Sequence, residues 1–531
     1  MNSPESNPPA SANRQIARAA GTVMFAIVLS QVVGLVAKSL VGSTFGTGAE
    51  SEAFFAANRF SEIIFNLVAG GALASAFIPT FTGLLAHQQR EKAWELASAV
   101  LNLVLAILVA VSLVSAVFAP ALVRYILAPG FDAEKQALTV QLLRVQLPSA
   151  AIFGVSGLCM GILNAHQSFL LPALAPSMYS FGWIFGTLVL APRMGIFGLA
   201  WGAVIGSALH FLIQLPMLTR LPARRYHFTF GLHINEVREV ARLMGPRLLG
   251  VAVVQLNFLL NTILSSSQPQ GSLSGLSLAF PLMIMPEAAI AQAIAIAALP
   301  TFSAQVALHK LDEMRGSLAA TLRSVLLLAV PATFGLILLR EPLVRLVYMR
   351  NEFDETSLQF VSWALLWYTV GLVGHSLVEI TARAFYALHD TKTPVLIGIA
   401  AMSLNLAFSL AFSALFRAWG WMPHGGLALA NSLATALEAV GLLVLMRRRL
   451  NGIGGREIGQ AVFQSLAGAA VMSAALLAWL HWTQALPALI TTLGGVVCGG
   501  AAYLLVLLIL KPRELALLRE IPGRLLGRVR R

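Results

Sequence analysis

Charge is scarce in this chain. Only 11% of its 531 residues are Asp, Glu, Lys or Arg, where soluble domains carry about a quarter. That fraction cannot cover a water-facing surface of this size, which excludes a soluble enzyme trailing a single membrane anchor. Cysteine is nearly absent: Cys159 and Cys498 both fall inside apolar runs, where a thiol packs as a small hydrophobe and no disulfide framework has a basis. HExxH, Walker A, GxSxG and paired-cysteine metal spacings are missing as well. The chain therefore reads as no enzyme, with no metal site, no resident cofactor and no use of ATP.

What is abundant is apolar sequence, at 57% of the residues. Windows of about 20 residues, long enough to cross a bilayer, recur from end to end. Hydropathy, interrupted by Pro, Gly and charge, places spans near 19–41, 53–84, 94–118, 137–163, 169–191, 195–218, 240–266, 273–303, 317–339, 357–386, 393–416, 424–446, 459–482 and 486–510. The fold class is thus an all-α polytopic membrane protein of about fourteen transmembrane helices. The opening MNSPESNPPASA has no apolar pattern and predicts a disordered tail over 1–18.

The formal net charge of +13 would suggest nucleic acid only if the basic residues gathered on one soluble face. They alternate by loop instead. Loops on the side of the N-terminus carry Arg90, Lys92, Arg220, Arg224, Arg225, Arg238, Arg242, Lys310, Arg315, Arg447, Arg448 and Arg449, and the C-terminal tail adds Arg524, Arg528, Arg530 and Arg531. The opposite loops hold fewer, diluted by Glu50, Glu52, Asp132, Glu134, Asp354 and Glu355. This asymmetry predicts both termini in the cytoplasm.

The chain also repeats itself. Ile78-Pro79-Thr80-Phe81 returns as Leu299-Pro300-Thr301-Phe302, Phe131-Asp132 as Phe353-Asp354, and the Asn164-Ala165…Pro172 turn as Tyr386-Ala387…Pro394, all 221 or 222 residues apart. Six spans per copy is an even number, so both copies enter the membrane from the same side, as parallel repeats. The expected organisation is a tail over 1–18, an N-lobe over 19–220, a linker over 221–239 and a C-lobe over 240–448. Two more helices over 449–512 and a basic tail over 513–531 complete it.

The segments AFFAANRF (53–60), FNLVAGGALASAFIPTF (65–81), LNAHQSFLLPALAP (163–176), MGPRLLGVAVVQLN (244–257) and ARAFYALHDTKTPV (382–395) resemble the MurJ/MviN lipid II flippases of the multidrug/oligosaccharidyl-lipid/polysaccharide exporter superfamily. The resemblance implies a carrier of the undecaprenyl-linked peptidoglycan precursor, moving it from the inner to the outer leaflet of the bacterial plasma membrane by alternating access for cell-wall biogenesis. It also implies a lipid-tail groove beside spans 13 and 14, membrane lipids and cell-wall synthesis enzymes as partners, and Na+ or H+ as the coupling ion. Better-known members open with Ser-Arg-x-x-Gly-x-x-Arg in the first helix. Here the stretch reads Ser30-Gln31-Val32-Val33-Gly34-Leu35-Val36-Ala37-Lys38, with one lysine beside the second arginine position. An exporter of another lipid-linked saccharide, an ion-coupled drug antiporter and a non-transporting envelope scaffold stay open at this point.

A charge inside a span is costly unless it is paired or lines water, so each one marks a candidate site. A diphosphate head wants cations, and guanidinium grips two oxygens where ammonium acts as a point charge. Arg59 and Lys38 are the first choices, with Gln31, Asn66 and Glu62 completing the candidate cavity; Arg59 and Glu62, three apart, also suit a simple helix pair. Gly70-Gly71 supplies a hinge or a close helix contact. Asn261, Asn405, Asn431 and Thr435 place oxygens in apolar runs and form a candidate cation site. His375 and Glu379, four apart on one face, suit a proton relay or a satisfied buried pair.

Overall fold

The computed structural model describes residues 10–68, 72–222, 225–512 and 514, and every regular element among them is helical. Two compact units emerge, residues up to 45 with 49–263, and residues 46–48 with 264 onward. The first holds α1 (Ala10–Phe45), α2 (Ala49–Val68), α3 (Ala72–Ala86), α4 (Arg90–Val117), α5 (Ala119–Leu122), α6 (Ala133–Ala165), α7 (Leu170–Phe185), α8 (Ala191–Met194), α9 (Ile196–Leu212), α10 (Leu215–Leu218) and nearly all of α11 (Asn235–Ser266). The second holds α12 (Ser272–Glu287), α13 (Ala293–Ala307), α14 (Leu311–Tyr348), α15 (Glu355–Thr369), α16 (Leu372–Ala387), α17 (Lys392–Ala418), α18 (His424–Arg449), α19 (Gly455–Trp482) and α20 (Ala488–Leu510). Single π-helical turns lie at Val123–Leu127, Gly186–Leu190 and Ala288–Gln292.

Among the described residues, 11 helices are long and apolar enough to span a membrane, and 12 if the pair α15–α16, bent by 46°, is one span. This is fewer than the roughly fourteen expected from hydropathy. Some residues or side chains within the expected spans 53–84 and 240–266 lie outside the described ones, and what is described of each includes the shorter apolar helices Ala76–Ala86 and Val251–Ser266.

The N-terminal expectation also changes. Residues 10–18 are helical rather than part of a disordered tail, since Ala, Arg and Gln beyond Pro8-Pro9 are strong helix formers. Residues 1–9, and 513 and 515–531 of the expected basic tail, lie outside the described residues.

The units part near Ile263 and not at the expected linker over 221–239. The reason is a strap. Residues 225–231 run without regular structure along α4, where Asn102 donates from Nδ2 to Thr229 O (2.8 Å) and accepts at Oδ1 from Tyr226 OH (2.7 Å). His227 N donates to Ser98 Oγ at 3.1 Å. Val237 and Val240 of α11 then join Phe77, Phe81 and Trp94 in the core of the first unit.

The duplication is visible in backbone detail. Gln88 and His309 (φ 57° and 56°), then Gln167 and His389 (both 58°), take left-handed conformations at matching positions in the two copies. Asp132 and Asp354 cap matching helices, accepting from Lys135 N at 2.8 Å and Ser357 N at 2.7 Å. Phe81 and Phe302, from the repeated Pro-Thr-Phe, are 0% and 1% exposed.

The Ser357 amide beside Asp354 holds that carboxyl below its usual range. A depressed folded-state pKa means the stabilisation is complete at neutral pH and is lost only as pH falls beneath the ordinary carboxylate range. Asp354→Ala should cost about 1 kcal/mol at neutral pH and leave a variant whose stability no longer drops with the wild-type profile at the acid end, read by thermal unfolding in detergent across pH.

Two further features build the first unit. Glu52 and Lys135 form a buried ion pair of 2.8 Å between α2 and α6, with the ammonium 4.5 Å above the Phe131 ring. Gly182 and Gly186 face Gly198, Gly202 and Gly206 of α9 so closely that a β-carbon on Gly182 would stand 2.2 Å from Gly206 Cα, and one on Gly202 2.6 Å from Gly182 O. Small residues at four-residue spacing let membrane helices meet backbone to backbone.

Candidate functional site

α2 displays Asn58, Arg59, Glu62 and Asn66 at spacings of three, four and seven, which gather on one helical face. Arg59 Nη1 donates to Glu62 Oε2 at 2.6 Å, and Asn58 Nδ2 donates to Glu62 Oε1 at 2.9 Å. Tyr179 of α7 donates its hydroxyl to Asn58 Oδ1 at 3.1 Å, so the carboxylate is held through two side chains. Lys38 of α1 lies within the electrostatic reach of both Glu62 and Arg59.

α11 presents the facing surface. Gln255, Phe258 and Thr262 share one stripe, matched in reverse order to α2: Asn66 Nδ2 donates to Gln255 Oε1 at 3.3 Å, and Arg59 Nε donates to Thr262 Oγ1 at 3.3 Å with its guanidinium 5.5 Å from the Phe258 ring. The two helices therefore run antiparallel along this face. Arg59 stands against the one carboxylate, and its Nη2 has no protein acceptor among the described residues. Such a group has spare donors for an anion.

Of the expected cavity residues, Arg59, Glu62 and Lys38 are brought together and Asn66 sits further along the same face of α2. Gln31 is exposed on α1, two turns before Lys38. Gly70 and Gly71, the expected hinge, lie outside the described residues. Sequence reasoning passed over Asn58, Tyr179, Gln255, Phe258 and Thr262. The signal for two of them was present: Asn58 stands four before Glu62, and a tyrosine within an apolar helix needs a partner for its hydroxyl.

Of the expected cation set, Asn261 belongs to the first unit, and Asn405, Asn431 and Thr435 are buried in the second. Asn431 Oδ1 already accepts from His375 Nε2 at 3.3 Å. Glu379 pairs with Arg383 at 2.6 Å and makes no hydrogen bond to His375, so the two residues four apart serve different neighbours.

The second unit also has an apolar groove of about 710 Å³ between α14, α19 and α20, walled by Leu328, Leu336, Leu339, Val496 and Leu504. Glu514 and Pro512 stand at one end. There Arg323 of α14 is gripped by Glu457 and Glu514.

The profile of the family described as "Lipid II flippase MurJ" matches residues 41–509. A Burkholderia cenocepacia relative named lipid II flippase MurJ is 31% identical over 481 residues, covering 88% of this chain and 91% of its own. A Vibrio cholerae relative, likewise named for MurJ, is 30% identical over 515 residues, covering 93% and 96%. The solved structure titled lipid II flippase MurJ, inward closed conformation, superposes with a TM-score of 0.80 at 24% identity over 93% of this chain and 99% of that one. An inward-facing multidrug resistance MATE family transporter of the MOP superfamily follows at a TM-score of 0.68 and 16% identity, covering 81% and 98%. The fold is shared with both, and sequence match over most of its length places the chain in the lipid II flippase MurJ family.

Proposed function

We propose that this protein flips lipid II, the polyprenyl-linked peptidoglycan precursor, from the cytoplasmic to the outer leaflet of the bacterial inner membrane by alternating access. The observation that carries the reading is the Arg59–Glu62 group on α2, with Lys38 of α1 nearby and α11 facing it, whose guanidinium keeps a spare nitrogen where an anionic head group needs charge-assisted donors. In this reading the diphosphate displaces Glu62 from part of the guanidinium. The arginine asymmetry of the loops supports both termini in the cytoplasm. Transport draws on an ion gradient or the membrane potential, and cell-wall synthesis enzymes consume the flipped precursor.

The test is depletion in cells whose other flippases are absent, followed by complementation, reading the fraction of lipid II reachable from outside. Depletion should leave the precursor on the cytoplasmic leaflet and the wild-type gene should restore it. An unchanged lipid II distribution accompanied by loss of a different envelope glycan would overturn the substrate.

A further inference from the structure

The first unit contains a cavity of about 310 Å³ that shares no lining residue with the Arg59 cluster. It lies between the first turns of α4, the last turns of α6, α10 and the strap. Ala97 and Leu101 of α4, Leu158 and Ile162 of α6 and Leu218 of α10 wall it. An apolar cavity of roughly 150 Å³ already holds a benzene ring, so this one takes a longer hydrocarbon.

Most polar groups around it are committed within the protein. Ser98 Oγ donates to Trp94 O at 2.7 Å and accepts from His227 N, and Tyr226 gives its hydroxyl hydrogen to Asn102. Two donors remain. Trp94 lines the cavity and is 7% exposed, and its enclosed indole Nε1 has no acceptor among the described residues. A buried N–H without a partner is costly. Arg225 is the charged member of the lining. Its guanidinium stands 3.6 Å from Glu91, too far for a hydrogen bond, and both side chains are largely exposed. The cavity thus asks its occupant for a hydrocarbon chain, an acceptor beside the indole and an anion at the rim.

The strap marks where the mouth lies. Tyr226, Phe228 and Phe230 are 62%, 82% and 42% exposed, which suits rings at the headgroup level of a bilayer and not a surface in water. Arg90 and Lys92 open α4 and Arg220 follows α10, all exposed, so cations surround Glu91 in this part of the chain. Basic pockets between membrane helices collect anionic lipids.

We propose that this cavity binds one anionic glycerophospholipid, with an acyl chain inside, the phosphate on Arg225 and an ester carbonyl accepting from Trp94 Nε1. A free fatty acid brings a single polar group, whereas the glycerophospholipid has a separate acceptor for each free donor. Seated there, the lipid joins α4, α6 and the strap and pins the strap to the membrane surface. The site is independent of which lipid the protein flips.

Native mass spectrometry and thermal melting of the full chain in a neutral detergent test this with phosphatidylglycerol, phosphatidylcholine and oleate. Wild type should retain one phosphatidylglycerol and melt at a higher temperature with it. Trp94→Phe should weaken retention about fivefold, the loss of one neutral hydrogen bond, and Arg225→Gln roughly tenfold. The lipid-induced rise in melting temperature separates binding from packing: a Trp94 that only packs would lower the starting point of W94F and keep the rise. Arg225 is exposed at the rim, so R225Q should fold as wild type does. Arg59→Gln should retain phosphatidylglycerol unchanged, since it lies outside this cavity. Retention and melting rise equal to wild type in both W94F and R225Q overturn the proposal. So do phosphatidylcholine held as tightly as phosphatidylglycerol, oleate taking the single site in preference, or a wild-type protein that retains no lipid.

Discussion

Arg59→Gln is expected to slow lipid II flipping by roughly 10- to 100-fold, the effect of losing about 1.5–3 kcal/mol of charge-assisted hydrogen bonding to the diphosphate. The protein should still insert and accumulate. The Arg59 and Glu62 side chains are 19% and 36% exposed, so stranding Glu62 costs about 1–2 kcal/mol, below the figure for a fully buried pair. Glu62→Gln has the opposite sign on binding. It removes the competitor for the guanidinium and should tighten head-group affinity, measurable by native mass spectrometry with lipid II. Abundance and flipping of R59Q in reconstituted vesicles separate the two contributions, and wild-type flipping by this variant would dismiss the cluster as the binding site.

The largest structural effect should come from Gly202→Leu. The β-carbon alone would stand 2.6 Å from Gly182 O and 2.7 Å from Gly186 Cα, and both neighbours are backbone that cannot rotate away. Overpacking a well-packed interior costs typically 1–3 kcal/mol, and this contact belongs at or above the top of that range. Loss of folded protein, read by fluorescence-detected size exclusion and by melting temperature, is the expected outcome. Gly83→Ala and Gly500→Ala are the controls, since a β-carbon there meets nothing within 4 Å. Helix propensity should make each neutral or stabilising by up to about 1 kcal/mol. A G202L protein that melts with the wild type would show that α7 and α9 separate at little cost.

The parts of this fold that could be read in advance were those written in local chemistry. Asp132 and Asp354 announce helix starts because an aspartate at that position satisfies free amides within three residues. Lys38, Arg59 and Glu62 stand out because charge in an apolar run is costly and therefore conspicuous. The partners of that cluster did not stand out. Gln255 and Thr262 are neutral residues 189 and 203 positions from the side chains they bond, and nothing local marks such a pairing. Glu287 was hidden for a different reason: following Pro286 at the end of an apolar stretch, it resembles an ordinary loop acid, yet as the last residue of α12 it is 2% exposed. The α7–α9 glycines were readable, at Gly182 and Gly186, then Gly198, Gly202 and Gly206, but only pairing of the two segments gives the spacing its meaning.

The strap along α4 has a bearing on how this protein is to be cut. Residues 225–231 look from sequence like the natural place to divide the gene, yet they are fastened by Asn102 and Ser98 and lead into the part of α11 that lies in the first unit's core. A split there would strip one fragment of a piece of its own interior. The turn at 267–271, beyond the end of α11, is where two separately expressed halves should each keep a complete core.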